Sequence, residues 1–196
     1  MKRLAPNIVE FSGKECAEME SKAKAIRQRK NLQYEKSWSN QGMGWQMHYV
    51  GLLGEMCVAF LLGGETDENI YDYRDGQSDV LGLSDVITDR PASIEVKTKL
   101  DRRQYFYTEL SNKGLSDYYV FCYQSEIPDR IEREQIGRIR RIRVYGYITG
   151  EEYMEHRKRA KTGHAWVVPK QKFHMFYKLY EKTHFLKREE RLTVWI

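Results

Sequence analysis

The sequence predicts an α/β or α+β domain: helices lead, a run of short strands follows, and a further helix and strand close the pattern. Three observations carry this. Between Trp45 and Leu61 the apolar residues Trp45, Tyr49, Leu52, Leu53, Met56, Cys57, Phe60 and Leu61 recur at spacings of three and four, the period of a helix face turned to a core. From Asp79 to Ile148 they come instead in short aromatic and β-branched runs separated by turn residues, as strands do. At Thr149-Gly150-Glu151-Glu152 a capping box reopens a helix.

Taken in order, Ser12 followed by Glu15 is a first capping box, and the charged stretch behind it reads as a helix through about Gln33. Its apolar stripe is thin, so residues 1–44 are expected to form a basic, mostly exposed helical extension to a domain at 45–196. Asn40 to Gly44 reads as a loop. The core helix from Trp45 stops at Gly63-Gly64. A polar connection over Glu65 to Ser78 leads to strands at Asp79–Leu83, Asp85–Thr88, Ala92–Thr98, Tyr105–Thr108, Tyr118–Tyr123 and Arg141–Ile148. The helix opened by Thr149 runs to about Arg159, Trp166–Val168 is a strand, and Phe173–Tyr180 is amphipathic without a clear period.

A chain of 196 residues is the length of a single domain. With 41% hydrophobic and 31% charged residues it is too apolar for disorder and too polar for membrane spans. Its longest apolar stretch in the core helix, Cys57 to Leu62, falls far short of the roughly 20 residues a span needs. The basic start, Met1 to Asn7, has no apolar segment before Glu10, which predicts no secretory signal. Cys16, Cys57 and Cys122 are odd in number and lack ligand spacing, which points to a reducing cytoplasm. The net charge of +5 gathers in three runs, Lys22–Lys30, Arg138–Arg143 and Arg157–Lys161, around an acidic centre with Asp67, Glu68, Asp72, Asp75, Asp79 and Asp85. That layout suits an enzyme holding phosphates on its rim and a divalent cation at its centre.

The chemistry concentrates in Ile94-Glu95-Val96-Lys97. On a strand, Glu95 and Lys97 share one face and Ile94 and Val96 the other. Asp89-Arg90-Pro91 centres the preceding reversal near Arg90, and pairing arithmetic then sets Asp85 opposite Glu95. Cross-strand Cβ atoms lie about 4.5 to 5.5 Å apart. Two carboxylates at that distance repel unless a cation lies between them. Mg²⁺ (or Mn²⁺) takes such oxygen ligands, so Asp85, Glu95 and the Val96 carbonyl would bind it, with Lys97 placed to orient or deprotonate a water. The similar tripeptide Glu20-Ser21-Lys22 lies on the first helix, without strand context or a hairpin acid. A third acid, Glu55, sits in the core helix within Gly51-Leu52-Leu53-Gly54-Glu55 and needs a partner or an opening to water.

Together Gly51-x-x-Gly54-Glu55, Asp85 and Glu95-Val96-Lys97-Thr98 resemble the PD-(D/E)XK nuclease superfamily over roughly Trp45 to Val168. The resemblance implies an α/β, restriction-endonuclease-like αβββαβ core with a mixed central sheet flanked by helices, here preceded by an extra N-terminal helix. It also implies Mg²⁺-dependent phosphodiester hydrolysis in DNA, of the kind found in phage, mobile-element and repair nucleases. By position, Glu55 supports the metal site, Asp85 and Glu95 are its ligands and Lys97 is the catalytic lysine. The helix after Thr149 then precedes a last core strand at His164–Val168. Ser84 replaces the motif's proline, and Asp79 competes with Asp85 as first aspartate, although pairing arithmetic puts Asp79 beyond Lys97.

Lys99, Arg102, Arg103, Arg138, Arg140, Arg141 and Arg143 are the candidate phosphate contacts. Tyr105, Tyr107, Tyr118, Tyr119 and Tyr123 either stack on bases or pack the sheet. His48 shares a helix face with Glu55, while His156, His164, His174 and His184 lack metal-ligand spacing. A DNA nuclease and a catalytically inactive nucleic-acid-binding protein on the same fold are both compatible with this set, and a homodimer is an open assembly state. An enzyme of small phosphorylated metabolites is disfavoured by the lack of a Gly-rich phosphate loop.

Overall fold

The structure, a computed structural model, describes residues 1–33, 44–66, 80–81, 91–100, 105–109, 116–125, 136–161 and 165–183. It begins with a hairpin of β1 (Lys2–Ala5) and β2 (Ile8–Glu10) turning at Pro6-Asn7, which sequence reading passed over. Helix α1 (Gly13–Gln33) follows, capped as expected: the Glu15 N–H donates to Ser12 Oγ, and the Glu15 carboxylate accepts from the Ser12 N–H at 2.8 Å. Helix α2 (Trp45–Leu62) ends at Gly63, whose φ of 69° is left-handed. Beyond it lie β3 (Glu65–Thr66), β4 (Val80–Leu81), β5 (Ile94–Lys99), β6 (Tyr105–Glu109), β7 (Tyr118–Gln124) and β8 (Arg141–Thr149). Helix α3 (Gly150–His156), β9 (Lys158–Arg159), β10 (Ala165–Pro169) and α4 (Phe176–Thr183) close the described chain.

A mixed five-stranded sheet runs in the order β1-β2-β8-β7-β5. Its β5 and β7 are parallel, with Glu95 beside Tyr119, Lys97 beside Phe121 and Lys99 beside Tyr123. The pairs β7–β8, β8–β2 and β2–β1 are antiparallel. The main core fills the face under α2, where Ile94, Val96, Val120, Cys122, Ile142, Val144 and Tyr147 meet Tyr49, Leu53, Cys57 and Val58, with Phe176 and Leu179 of α4. On the opposite face Tyr119, Phe121, Ile148, Tyr153 and Val168 form a second cluster beneath α3 and β10. The coarse class read from the sequence, α/β with a mixed sheet flanked by helices, is what the structure has. No helix among the described residues is long and apolar enough to cross a membrane.

Several expectations change. The N-terminal helix is not a mostly exposed appendage: Cys16, Met19 and Ala23 of its thin stripe are buried in the main core, and β2 pairs with β8. Small residues on that stripe let α1 lie close to α2, so few apolar positions suffice. Helix α3 stops at His156, because Arg157 is already extended (φ −69°, ψ 140°) and Lys158–Arg159 pair with β10. β10 itself, expected as the last strand of the central sheet, lies in a separate antiparallel sheet of order β6-β10-β9. The partners of β8 are β7, β2 and His174, which exchanges two backbone hydrogen bonds with Tyr147. Sequence periodicity marks a strand without naming its neighbour. The 173–180 stretch therefore splits into an extended residue at His174 and α4.

Gly54 determines how closely α2 lies on β5. A Cβ there would stand 1.7 Å from Thr98 Oγ1 and 3.0 Å from Thr98 Cβ. The Thr98 hydroxyl, which is buried, has no hydrogen-bond partner among the described residues. Gly54→Ala would gain about 1 kcal/mol of helix propensity, yet overpacking of this kind costs about 1–3 kcal/mol and an overlap this deep sits at the upper end. We expect Gly54→Ala to lower stability by roughly 1–2 kcal/mol in urea unfolding. Adding Thr98→Ala should recover a large part of that loss; strictly additive losses would show that the contact does not govern the packing.

Candidate functional site

The candidate site is built on β5. Because the Ile94 and Val96 side chains are spent in the core and Thr98 meets Gly54, alternation turns Glu95, Lys97 and Lys99 to the face away from α2. There Lys97 Nζ donates to the Glu95 carboxylate in a half-buried ion pair, 17% exposed at Glu95 and 35% at Lys97. Tyr119 stands next to them. Burial lifts its phenol above the ordinary range, and Tyr153 and Glu95 add to the effect. The decoy tripeptide on α1 behaves differently. On a helix residues i and i+2 diverge, and Glu20 pairs with Lys24 at 2.6 Å and Lys22 with Glu18 at 3.2 Å.

Glu55 is half-buried on α2, on the side of the sheet facing Val96 and Thr98 rather than that of Glu95. Its charge bears on Cys122, whose thiol is pushed up first by burial, then by Cys57 and Glu55. Burial likewise raises Cys57, so neither thiol is a ready nucleophile. Asp85, the other expected ligand, and its competitor Asp79 lie outside the described residues, as do Arg102, Arg103, His164 and His184. Among the described residues no three acidic, His or Cys side chains converge as a metal group. Glu95 and the Val96 carbonyl are hard oxygen donors of the kind Mg²⁺ takes. They are two of the three ligands expected from the sequence; the third, Asp85, is not among the described residues.

The basic run before and within β8 is divided by the fold. Arg138 and Arg140 are exposed and line a shallow cleft of about 540 Å³ with Gly13, Cys16, Ala17 and Glu20 of α1. Arg141 is held by Glu10, with Nε and an Nη both 2.7 Å from the same carboxylate oxygen. Arg143 lies beside Tyr123 on the face of Lys97, and its buried Nε makes no hydrogen bond among the described residues. Of the tyrosines considered for stacking, Tyr118, Tyr119 and Tyr123 are at most 8% exposed and serve the cores, while Tyr105 and Tyr107 sit on β6. His48 is half-buried on α2, and His156 lies 3.9 Å from Glu155.

Two groupings were not found from sequence. The first is Lys170, 8% exposed, its ammonium 5.0 Å from the Phe121 ring centre, 5.1 Å from that of Tyr145 and 5.7 Å from that of Tyr123. Nothing in Pro169-Lys170-Gln171 signals this, because the rings come from other strands. The second is His174, whose Nε2 is 2.7 Å from Glu152 Oε1. Glu152 was legible as the acid of the Thr149 capping box; its histidine was not.

Compared with protein-family models, with curated proteins and with solved structures, the chain matches none.

Burial acts to raise the Glu152 carboxyl, but hydrogen bonds with His174 and with the Thr149 N–H and hydroxyl outweigh it and hold the group below its ordinary value of 4.5. A carboxylate with a depressed native pKa stabilises the fold above its unfolded value and loses that contribution as pH falls through the native one. The stability gap between the wild type and Glu152→Gln should therefore narrow as pH drops below 4.5 in thermal unfolding. A gap that stays constant down to the native acid limb would show that the carboxylate's charge has no part in it.

Proposed function

We propose that the protein is a metal-dependent nuclease that hydrolyses phosphodiester bonds in DNA, with the Glu95–Lys97 face of β5 as its reactive surface. The single observation that carries this reading is that Glu95 and Lys97 pair with each other on the face of β5 turned away from α2, beside Tyr119 and Phe121, whereas the same residue types at the same spacing on α1 pair elsewhere. Glu95, the Val96 carbonyl and Asp85 would hold Mg²⁺ or Mn²⁺; Glu55, on the α2 side of the sheet with Cys122, is left out of this set. When bound, that ion polarises the scissile phosphate and neutralises charge developing on the leaving oxygen.

The chain's own residues do the rest. Glu95 keeps the Lys97 ammonium beside the reacting position, where its N–H groups orient the attacking water and the phosphate oxygens. Packing of Ile94 and Val96 locks the strand so that neither side chain has to find its place during reaction. Lys99 and Arg143, on the same face, steer the phosphate backbone toward the pair.

Cleavage should require Mg²⁺ or Mn²⁺ and stop in EDTA, and Ca²⁺ should permit binding without efficient cutting. Lys97→Ala should slow the chemical step by about a hundredfold or more with DNA affinity nearly intact, while Glu20→Gln with Lys22→Ala should leave it unchanged. Activity persisting in EDTA, or equal losses at the two places, would overturn the assignment.

Salt dependence tests the phosphate contacts. Each contact contributes about 0.9 to the slope of log affinity against log salt on duplex and about 0.7 on a single strand. Lys99→Ala with Arg143→Ala should flatten that slope for every sequence alike. Arg141→Ala, already neutralised by Glu10, should alter it less. A slope indifferent to Lys99 and Arg143 would remove this face from the DNA path.

A further inference from the structure

Tyr145 occupies a distinctive place on the Lys97 face. The β7–β8 ladder pairs Phe121 with Gly146 but Cys122 with Val144, so Tyr145 is the extra residue of a β-bulge. Without it, Val144 and Tyr147 could not both reach the main core; with it, Tyr145 is displaced outward. Its ring packs among Phe121 (5.8 Å between centres), Phe173 (6.3 Å) and Tyr123 (6.5 Å), and the Lys170 ammonium sits over the group. Phe121 is fully buried and Tyr123 is 6% exposed, yet Tyr145 remains 40% exposed.

Charge identifies what would cover it. The sheet face that bears this ring, with Lys170 over it, also carries Lys97, Lys99, Arg141 and Arg143 against the carboxylates Glu95 and Glu10. An apolar protein partner would have to desolvate those cations, whereas a polyanion with flat aromatic groups answers both features at once. We propose that Tyr145 is a stacking platform for an unpaired base, so that this face takes single-stranded or locally unpaired DNA and leads its backbone past Lys99 and Arg143 toward Lys97. In a closed duplex every base face is already stacked, and Tyr145, held by its neighbours two strands from Lys97, has no base to meet.

This inference rests on the nuclease reading for its substrate class but is tested separately from it. The full chain, in EDTA, would be titrated into a short single-stranded DNA oligonucleotide carrying 2-aminopurine, and into the same oligonucleotide annealed to its complement. The expected result is tighter binding of the single strand, with the fluorophore quenched on binding. Tyr145→Leu should lose the quench and about tenfold in affinity for the single strand while barely altering duplex binding, and Tyr145→Phe should keep both. Circular dichroism melts establish that the variants are folded; if Tyr145→Leu does not fold, Tyr145→Thr is read in the same assay. Undiminished single-strand affinity and quench in the folded variant would overturn the proposal, as would equal losses on the duplex. An intact, Tyr145-dependent quench without metal-dependent cutting would sink the nuclease reading and leave the stacking platform standing. Cutting with binding indifferent to Tyr145 would do the reverse.

Discussion

Everything at the candidate site depends on how closely α2 lies against β5. Gly54 admits Thr98 to a distance no side chain would tolerate, and the helix then seals Ile94 and Val96 beneath it. Once those side chains are committed to one face, alternation leaves Glu95, Lys97 and Lys99 no choice but the other. The strand cannot slip by a single residue without burying Lys97 under α2 and exposing Val96, a change that costs several kcal/mol for the charge alone. The ion pair is thus positioned by packing on the opposite side of the sheet, and its own Coulomb attraction is a minor part of what holds it there.

The same logic sorts the positive charge. Counted along the chain, Arg138 to Arg143 is one basic run. Folded, it serves different surfaces: Arg138 and Arg140 border a cleft with α1, Arg141 answers Glu10 across β2, and Arg143 joins Lys97 and Tyr145. Net charge describes none of this, because a field is made by where charges project. The bulge at Tyr145 adds a second level of control. It shifts one side chain outward and keeps Val144 and Tyr147 in the core, so an exposed aromatic is obtained without opening the main hydrophobic cluster.

Legibility differed sharply between elements. Both capping boxes were readable because their hydrogen bonds join residues three apart, which a linear pattern displays directly. Helix α2 was readable from its period and its Gly63 stop, and β5, β7 and β8 from their β-branched and aromatic runs. The β1–β2 hairpin was missed because Lys2–Ala5 and Ile8–Glu10 are too short to show alternation. The thin stripe of α1 misled because a narrow apolar face was read as exposure, whereas Cys16, Met19 and Ala23 are all buried in the main core.

The sequence by itself determined the α/β class, the two faces of the Glu95–Lys97 strand and the distinction between that strand and the helical Glu20–Lys22 pair, since each is set by local backbone period. Tertiary structure alone decided that β10 leaves the central sheet, that His174 reaches Glu152, that Lys170 lies among three rings, and that Glu55 approaches from the far side of β5. These are contacts between segments distant along the chain. Their energies depend on which surfaces fit once every segment is present, and no single segment carries that information.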